Sequence, residues 1–450
     1  MADMKRGRWK SSLALVLVAA LAGPAAAGDR PDLAALLRLL PDTGATTASA
    51  PVFGYVDLGA IAAAAGVVPP SSDAEFDSLD GERRGAWIDA LRRIQAGPPE
   101  VLGYPIGIGL RAAGSVEALG INWFDIDAAM TFWQPPDTVT VVAGGAGFAQ
   151  PGRIGAALAA RGFAERQLEG FAVWHHLDDN AMALGQKDDL AEGDFLLGRL
   201  PRASRVAVKD GLVVHTNNWP TLAAVAATAA GKVAASPVAV LSAAILAGIE
   251  DETGAALLQA TALMLRDVGS AEDPGAFFSQ FTTSPSFDLD ALRKAIGPEA
   301  AGPRLPLYPL AFLADMQDGA DQLAVIALPY PDRESADAAA TVLAERLRAW
   351  SPGEGTASLL DQVQGSIEKR VVERDDIAGA TFATFIAMIA AGAEERKSVS
   401  VLAEATGGAI AIVAVRHPMA GADGSAQAGA VFRTWMAGIY RRTFTPLAAP

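Results

Sequence analysis

The stretch RVAVKDGLVVH, residues 205–215, decides how this chain is read. Two β-rich apolar runs flank Asp210-Gly211, and a two-residue turn with both central residues at positive φ is what an Asp-Gly pair between such runs favours. Downstream, Asn218 supplies an N-cap side chain, Pro220 suits a first helical turn, and Leu222 and Val225 lie inside the helix. Upstream, residues 138–142 alternate as a strand. Pro151, Ile154 and Leu158, closed by Gly162, frame a helix of about three turns, and residues 171–174 return as a strand. The order is β-α-β-β-β-α.

The C-terminal part reads the same way. Residues 322–328 (QLAVIAL) form a strand, and Asp332 opens a helix whose Ala336, Ala340, Leu343, Leu347 and Trp350 keep a 3,4 spacing. Residues 369–372 lead into further β sequence, and residues 398–402 pair with 409–413 across Gly407-Gly408. Residues 427–442 carry Val431, Trp435 and Ile439 on one stripe and end on Arg441 and Arg442, where the helix dipole favours cations. The expected fold class is α+β, built as two ferredoxin-like antiparallel-sheet modules with helices packed on one face and joined by an apolar helical segment.

The modules are placed at residues 28–235, with an N-terminal extension, and 305–450, with a helical and Pro-rich connection at 236–304. Within it, residues 237–268 read as buried helix, although LLQATALML at 257–265 fits a helix or a central strand equally well. The uncharged run at 377–393 holds the place of a buried sheet strand in the second module. At 450 residues the chain exceeds a single hydrophobic core of about 250–300 residues, which agrees with duplication.

The first 27 residues read as an address. Lys5, Arg6, Arg8 and Lys10 precede a short apolar run, which Gly23-Pro24 ends before Ala25-Ala26-Ala27, the pattern of a secretory signal peptide cleaved after Ala27. A membrane anchor needs about 20 apolar residues, more than this segment has. No cysteine follows, which excludes a lipoprotein, and no twin arginine is present. Cleavage leaves 32 basic against 50 acidic residues, a net charge near −18 that repels nucleic acid and anionic lipid. A cysteine-free exported chain cannot mispair in an oxidising compartment, so a periplasmic or secreted location is expected, with no integral membrane span after cleavage.

Residues 119–127 (LGINWFDID), Pro135-Pro136, residues 139–142 with the Gly-rich turn and helix after them, and Arg161-Gly162-Phe163 together resemble exported bacterial proteins catalogued as domains of unknown function. Residues 53–57 (FGYVD) are similar to the strand that begins such domains. The resemblance spans about residues 51–231 and implies no activity and no site residues.

Candidate chemistry is sparse. The histidines are His175, His176, His215 and His417. His175 and His176 end one strand with Asp178 and Asp179 just beyond, and His215 ends the hairpin. One of the pair, with Asp178 and His215, would make the three convergent ligands a divalent metal needs. The bland alternative is strand-end histidines that are solvated or hydrogen-bonded, with His417 a topological echo. Gly144-Gly145-Ala146-Gly147 lacks the third glycine of a dinucleotide loop and the lysine of a phosphate loop, so no cofactor is expected. Ser366-Ile367-Glu368-Lys369 matches S-x-x-K without its companion motifs. Asp125/Asp127, Asp288/Asp290 and Asp315/Asp318/Asp321 fit no calcium loop and read as turns and caps. Trp123 and Trp133, near prolines, are candidates to line a groove.

Two functional classes follow. The first is a non-catalytic binding or interaction protein of the cell envelope, whose partner is a protein or an apolar small molecule. The alternative is a divalent-metal-dependent hydrolase using His175 or His176, Asp178 and His215.

Overall fold

The structure is a computed structural model that describes residues 32–42, 52–98, 101, 114–132, 138–182, 194–196, 202–264, 303–352, 356–389, 406–420, 427–440 and 444–448. Twelve strands form one sheet: β1 Phe53–Asp57, β2 Ile126–Phe132, β3 Val139–Gly144, β4 Ala164–Leu168, β5 Phe171–His176, β6 Ser204–Lys209, β7 Leu212–Thr216, β8 Ala256–Met264, β9 Leu310–Asp318, β10 Asp321–Tyr330, β11 Ser366–Glu373 and β12 Ala409–Pro418. Their order is β11-β12-β10-β9-β8-β1-β2-β3-β7-β6-β5-β4, with antiparallel pairing at every step. The helices that matter below are α1 Leu33–Leu37, α2 Leu58–Ala64, α3 Gly81–Leu91, α4 Pro151–Ala160, α5 Trp219–Ala229, α6 Pro237–Thr253, α7 Arg333–Ala349, α8 Ile377–Ile389 and α9 Ala430–Tyr440.

The fold is α+β and antiparallel, as the hairpin and the strand-helix order predict. Asp210 and Gly211 take φ of 48° and 80°, and Lys209 pairs with Leu212 across them. Asn218 caps α5, accepting a hydrogen bond from the Thr221 amide at 2.8 Å, with Pro220 in the first turn.

Three expectations are corrected. First, the two halves share one continuous sheet: β1 pairs with β8, and Phe53 lies opposite Ala262. Residues 257–264 of the ambiguous segment lie in the strand that joins them, because its run of buried residues is wanted between two strands and under two helix layers. Second, helices cover both faces. In β7, Val213 packs in the core that α4 enters with Ile154 and Leu158, whereas its neighbour Val214 packs with Leu222 and Val225 of α5. In β11, Lys369 donates to Thr341 of α7 while Arg370 donates to the Glu252 carbonyl of α6 on the other side.

Third, residues 377–389 are helix α8, which packs against α6 and onto β10 and β12 of the sheet. Its small residues, Ala378, Gly379, Ala380, Thr381 and Ala383, let it pack closely, and Thr384 bonds back to the Ala380 carbonyl. Residues 398–402 lie outside the described residues, and both backbone edges of residues 409–416 are taken by β10 and β11, which leaves no place for a hairpin partner there.

The outermost strands, β4 and β11, carry Glu165, Arg166, Glu368, Lys369, Arg370 and Glu373, a charge density that discourages further strand addition. Near the sheet centre Gly54 allows a close crossing: a Cβ there would lie 2.8 Å from the Gly97 amide nitrogen. This brings the segment after α3 across the middle of the sheet.

Among the described residues no helix is long and apolar enough to cross a membrane.

Candidate functional site

The histidines fall into separate environments. His175 and His176 project to opposite faces of β5. His175 meets the Trp219 ring edge-on, with centroids 5.0 Å apart, and its pKa is lowered by partial burial and by the charges of Arg205 and Arg166. His176 stacks on Phe163 at 5.2 Å. Asp178 is exposed in the turn beyond. The neighbouring Asp179 instead accepts from Arg205 Nη2 at 2.6 Å and from the Trp219 amide at 3.0 Å, pinning that turn to the start of α5.

His215 sits in the sheet opposite Thr140 and Val206, its Nε2 3.0 Å from Ser204 Oγ. Full burial, reinforced by the charges of Arg202 and Arg205, pushes its pKa down to about 3. His417, buried at the end of β12, has Nδ1 3.1 Å from the Pro418 carbonyl oxygen. The candidate ligands His175, His176, Asp178 and His215 are therefore not brought into one set, and among the described residues no three His, Asp or Glu side chains are grouped so as to hold a metal ion.

The Ser204–His215 contact has the separation of a nucleophile and its base, but not the setting. Ser204, the first residue of β6, is 0% exposed, so no substrate carbonyl reaches it, and a histidine with a pKa near 3 is too weak a base to take its proton at neutral pH. The contact satisfies two polar groups that the sheet would otherwise bury unpaired.

The remaining motifs also resolve into structure. Ser366 begins β11, an edge strand, whereas S-x-x-K chemistry requires a helix start. Gly144 faces the Asp125 carbonyl and the Phe148 ring, which a Cβ would strike. Trp123 is buried and donates to the Val101 carbonyl at 2.9 Å; Trp133, Asp288 and Asp290 lie outside the described residues. Asp125 accepts from Asn122 at 2.9 Å. Asp318 and Asp321 both bind Arg416, at 2.8 and 3.3 Å, and Glu368 completes the cluster, holding that guanidinium's pKa well above its usual value.

Asp315 is different. It faces inward from the middle of β9 and is 1% exposed. Its Oδ2 accepts from Gln259 Nε2 on β8 at 2.9 Å and its Oδ1 from Gln322 Nε2 on β10 at 2.7 Å. Gln259 Oε1 accepts in turn from the Gln95 and Ala96 amides at 2.8 and 3.1 Å, and its Nε2 also donates to the Arg93 carbonyl at 3.1 Å. Gln322 Oε1 accepts from the Gly429 amide at 2.6 Å, just before α9.

Burial pushes the Asp315 carboxyl up to about 7, against the two glutamine hydrogen bonds and the charges of Arg93 and Arg433, which lower it. One carboxylate thus ties together three strands, the segment after α3 and the start of α9. In the sequence, Asp315 and Gln259 stand among apolar residues in LAFLADM and ALLQATALM, whereas Gln322 follows Asp321 at the start of DQLAVIALPY.

No protein family, curated protein or solved structure matches the chain.

Proposed function

We propose that this chain is an exported, non-catalytic binding protein of the cell envelope, acting on a protein partner or an apolar small molecule. The observation that carries this reading is the engagement of its reactive side chains in the fold: His215 with Ser204, His175 with Trp219, His176 with Phe163 and Asp315 with two glutamines. The leader-like first 27 residues and the acidic remainder support export, and the resemblance of residues 51–231 to exported bacterial domains points the same way.

Duplication is part of the proposal. Outward from the β8–β1 pair, each side runs through three successive strands, β8-β9-β10 and β1-β2-β3, and then meets a much later one, β12 or β7. Each side also follows its third strand with a helix, α7 or α4, and its last with another, α9 or α5. This parallel order supports a doubled ancestral unit fused through its first strands.

N-terminal sequencing and native mass spectrometry of protein taken from its own compartment test the proposal. It expects a chain beginning at Gly28 that retains a protein or apolar ligand. An unprocessed chain refutes export, and stoichiometric metal with hydrolytic activity refutes the non-catalytic reading.

A further inference from the structure

An ionised Asp315 only accepts hydrogen bonds, and the structure gives each of its oxygens an amide N–H, from Gln259 and from Gln322. With the amides so oriented, Gln259 turns its oxygen to the Gln95 and Ala96 N–H groups, and Gln322 turns its oxygen to the Gly429 N–H. A proton on Asp315 converts one carboxylate oxygen into a donor, which then faces N–H hydrogens where it needs a lone pair. One amide must rotate to offer its oxygen. Rotating Gln259 sets its NH2 group against two backbone N–H groups and gives up its bond to the Arg93 carbonyl. Rotating Gln322 opposes only one N–H, that of Gly429, so Gln322 yields.

We propose that Asp315, Gln322 and the Gly429 amide form a proton-operated latch, in which the ionised carboxylate fastens the start of α9 to β10 and protonation releases it. The charged groups facing the carboxyl are Arg93, from the segment after α3, and Arg433, in the first turn of α9. Arg93 stands at the same joint, its Cβ 3.6 Å from where a Cβ on Gly429 would lie. Both guanidiniums favour the ionised, fastened form, burial opposes it, and the balance near 7 lets the latch work around neutral pH. Val431, Phe432 and Trp435 remain packed in the core, so release is local fraying of one helix end.

Hydrogen exchange of the full chain at about pH 8.5 and about pH 5.5, corrected for intrinsic rates, tests the latch. Protection of the amides at 429–433 is expected to fall about tenfold or more at the lower pH, with α7 unchanged. Gln322→Met, which removes the acceptor but not Asp315, and Asp315→Asn, which holds a permanent donor there, are each expected to give low protection at both pH values. Equal protection of 429–433 at the two pH values in the unmodified chain overturns the proposal. So does a full pH response retained in Gln322→Met, which remains informative if Asp315→Asn does not fold.

Discussion

Replacing Asp315 with asparagine should change how the stability of the whole protein depends on pH. The carboxyl lies at about 7 in the fold against an ordinary 3.8, because burial disfavours its charge. The folded protein therefore holds a proton that the unfolded chain has already lost between those values. Stability contributed by this group is complete below about pH 4, falls as pH rises toward 7 and is level beyond. Each pH unit in that window costs about 1.4 kcal/mol, so between about pH 5 and about pH 8 the ionisation of Asp315 removes about 3 kcal/mol. Asparagine keeps the shape without the titration. Urea unfolding of both proteins across this range gives the stability of each, and the difference between native chain and variant should move by about 3 kcal/mol in favour of the variant as pH rises. Parallel profiles would refute the argument that burial dominates the energetics of this carboxyl.

His215→Ala should cost about 2–4 kcal/mol, from the cavity left by a fully buried ring and the stranded Ser204 hydroxyl, without changing metal content by elemental analysis. Loss of bound metal in this variant would revive the hydrolase reading. Because β1 pairs with β8 and Gln259 bonds to the Gln95 and Ala96 backbone, calorimetry should give one cooperative transition; two separated transitions would mean that the halves fold as independent modules.

Local chemistry made much of the fold legible. Asp210-Gly211 announced its hairpin, Asn218-Trp219-Pro220 its helix start, and the 322–328 run its strand, since turn geometry, capping and apolar content act within a few residues. The exposed β4, AERQL, escaped notice because an edge strand with little burial carries no alternation. Residues 377–389 misled for the opposite reason: a helix apolar on all sides, packed against α6 and the sheet, has no amphipathic period to distinguish it from a buried strand. The joining of two expected modules into one sheet depends on the long-range β1–β8 register, which no local pattern encodes.

The candidate site divides along the same line. His175 and His176 meet different rings, Trp219 and Phe163, but sequence could not show that His215 is sealed against Ser204. Asp315 was visible only within an acidic group read as turns and caps. Its partners Gln259 and Gln322 are distant in sequence and meet it only because β8, β9 and β10 are neighbours.

The central claim is that the reactive side chains serve the fold while the protein binds a partner. Native mass spectrometry of the protein taken from its own compartment, with elemental analysis of the same sample, tests it most directly. The account predicts added mass that leaves as a protein or an apolar molecule, and no stoichiometric metal. A metal ion retained at one per chain and lost in both His176→Ala and His215→Ala would contradict it.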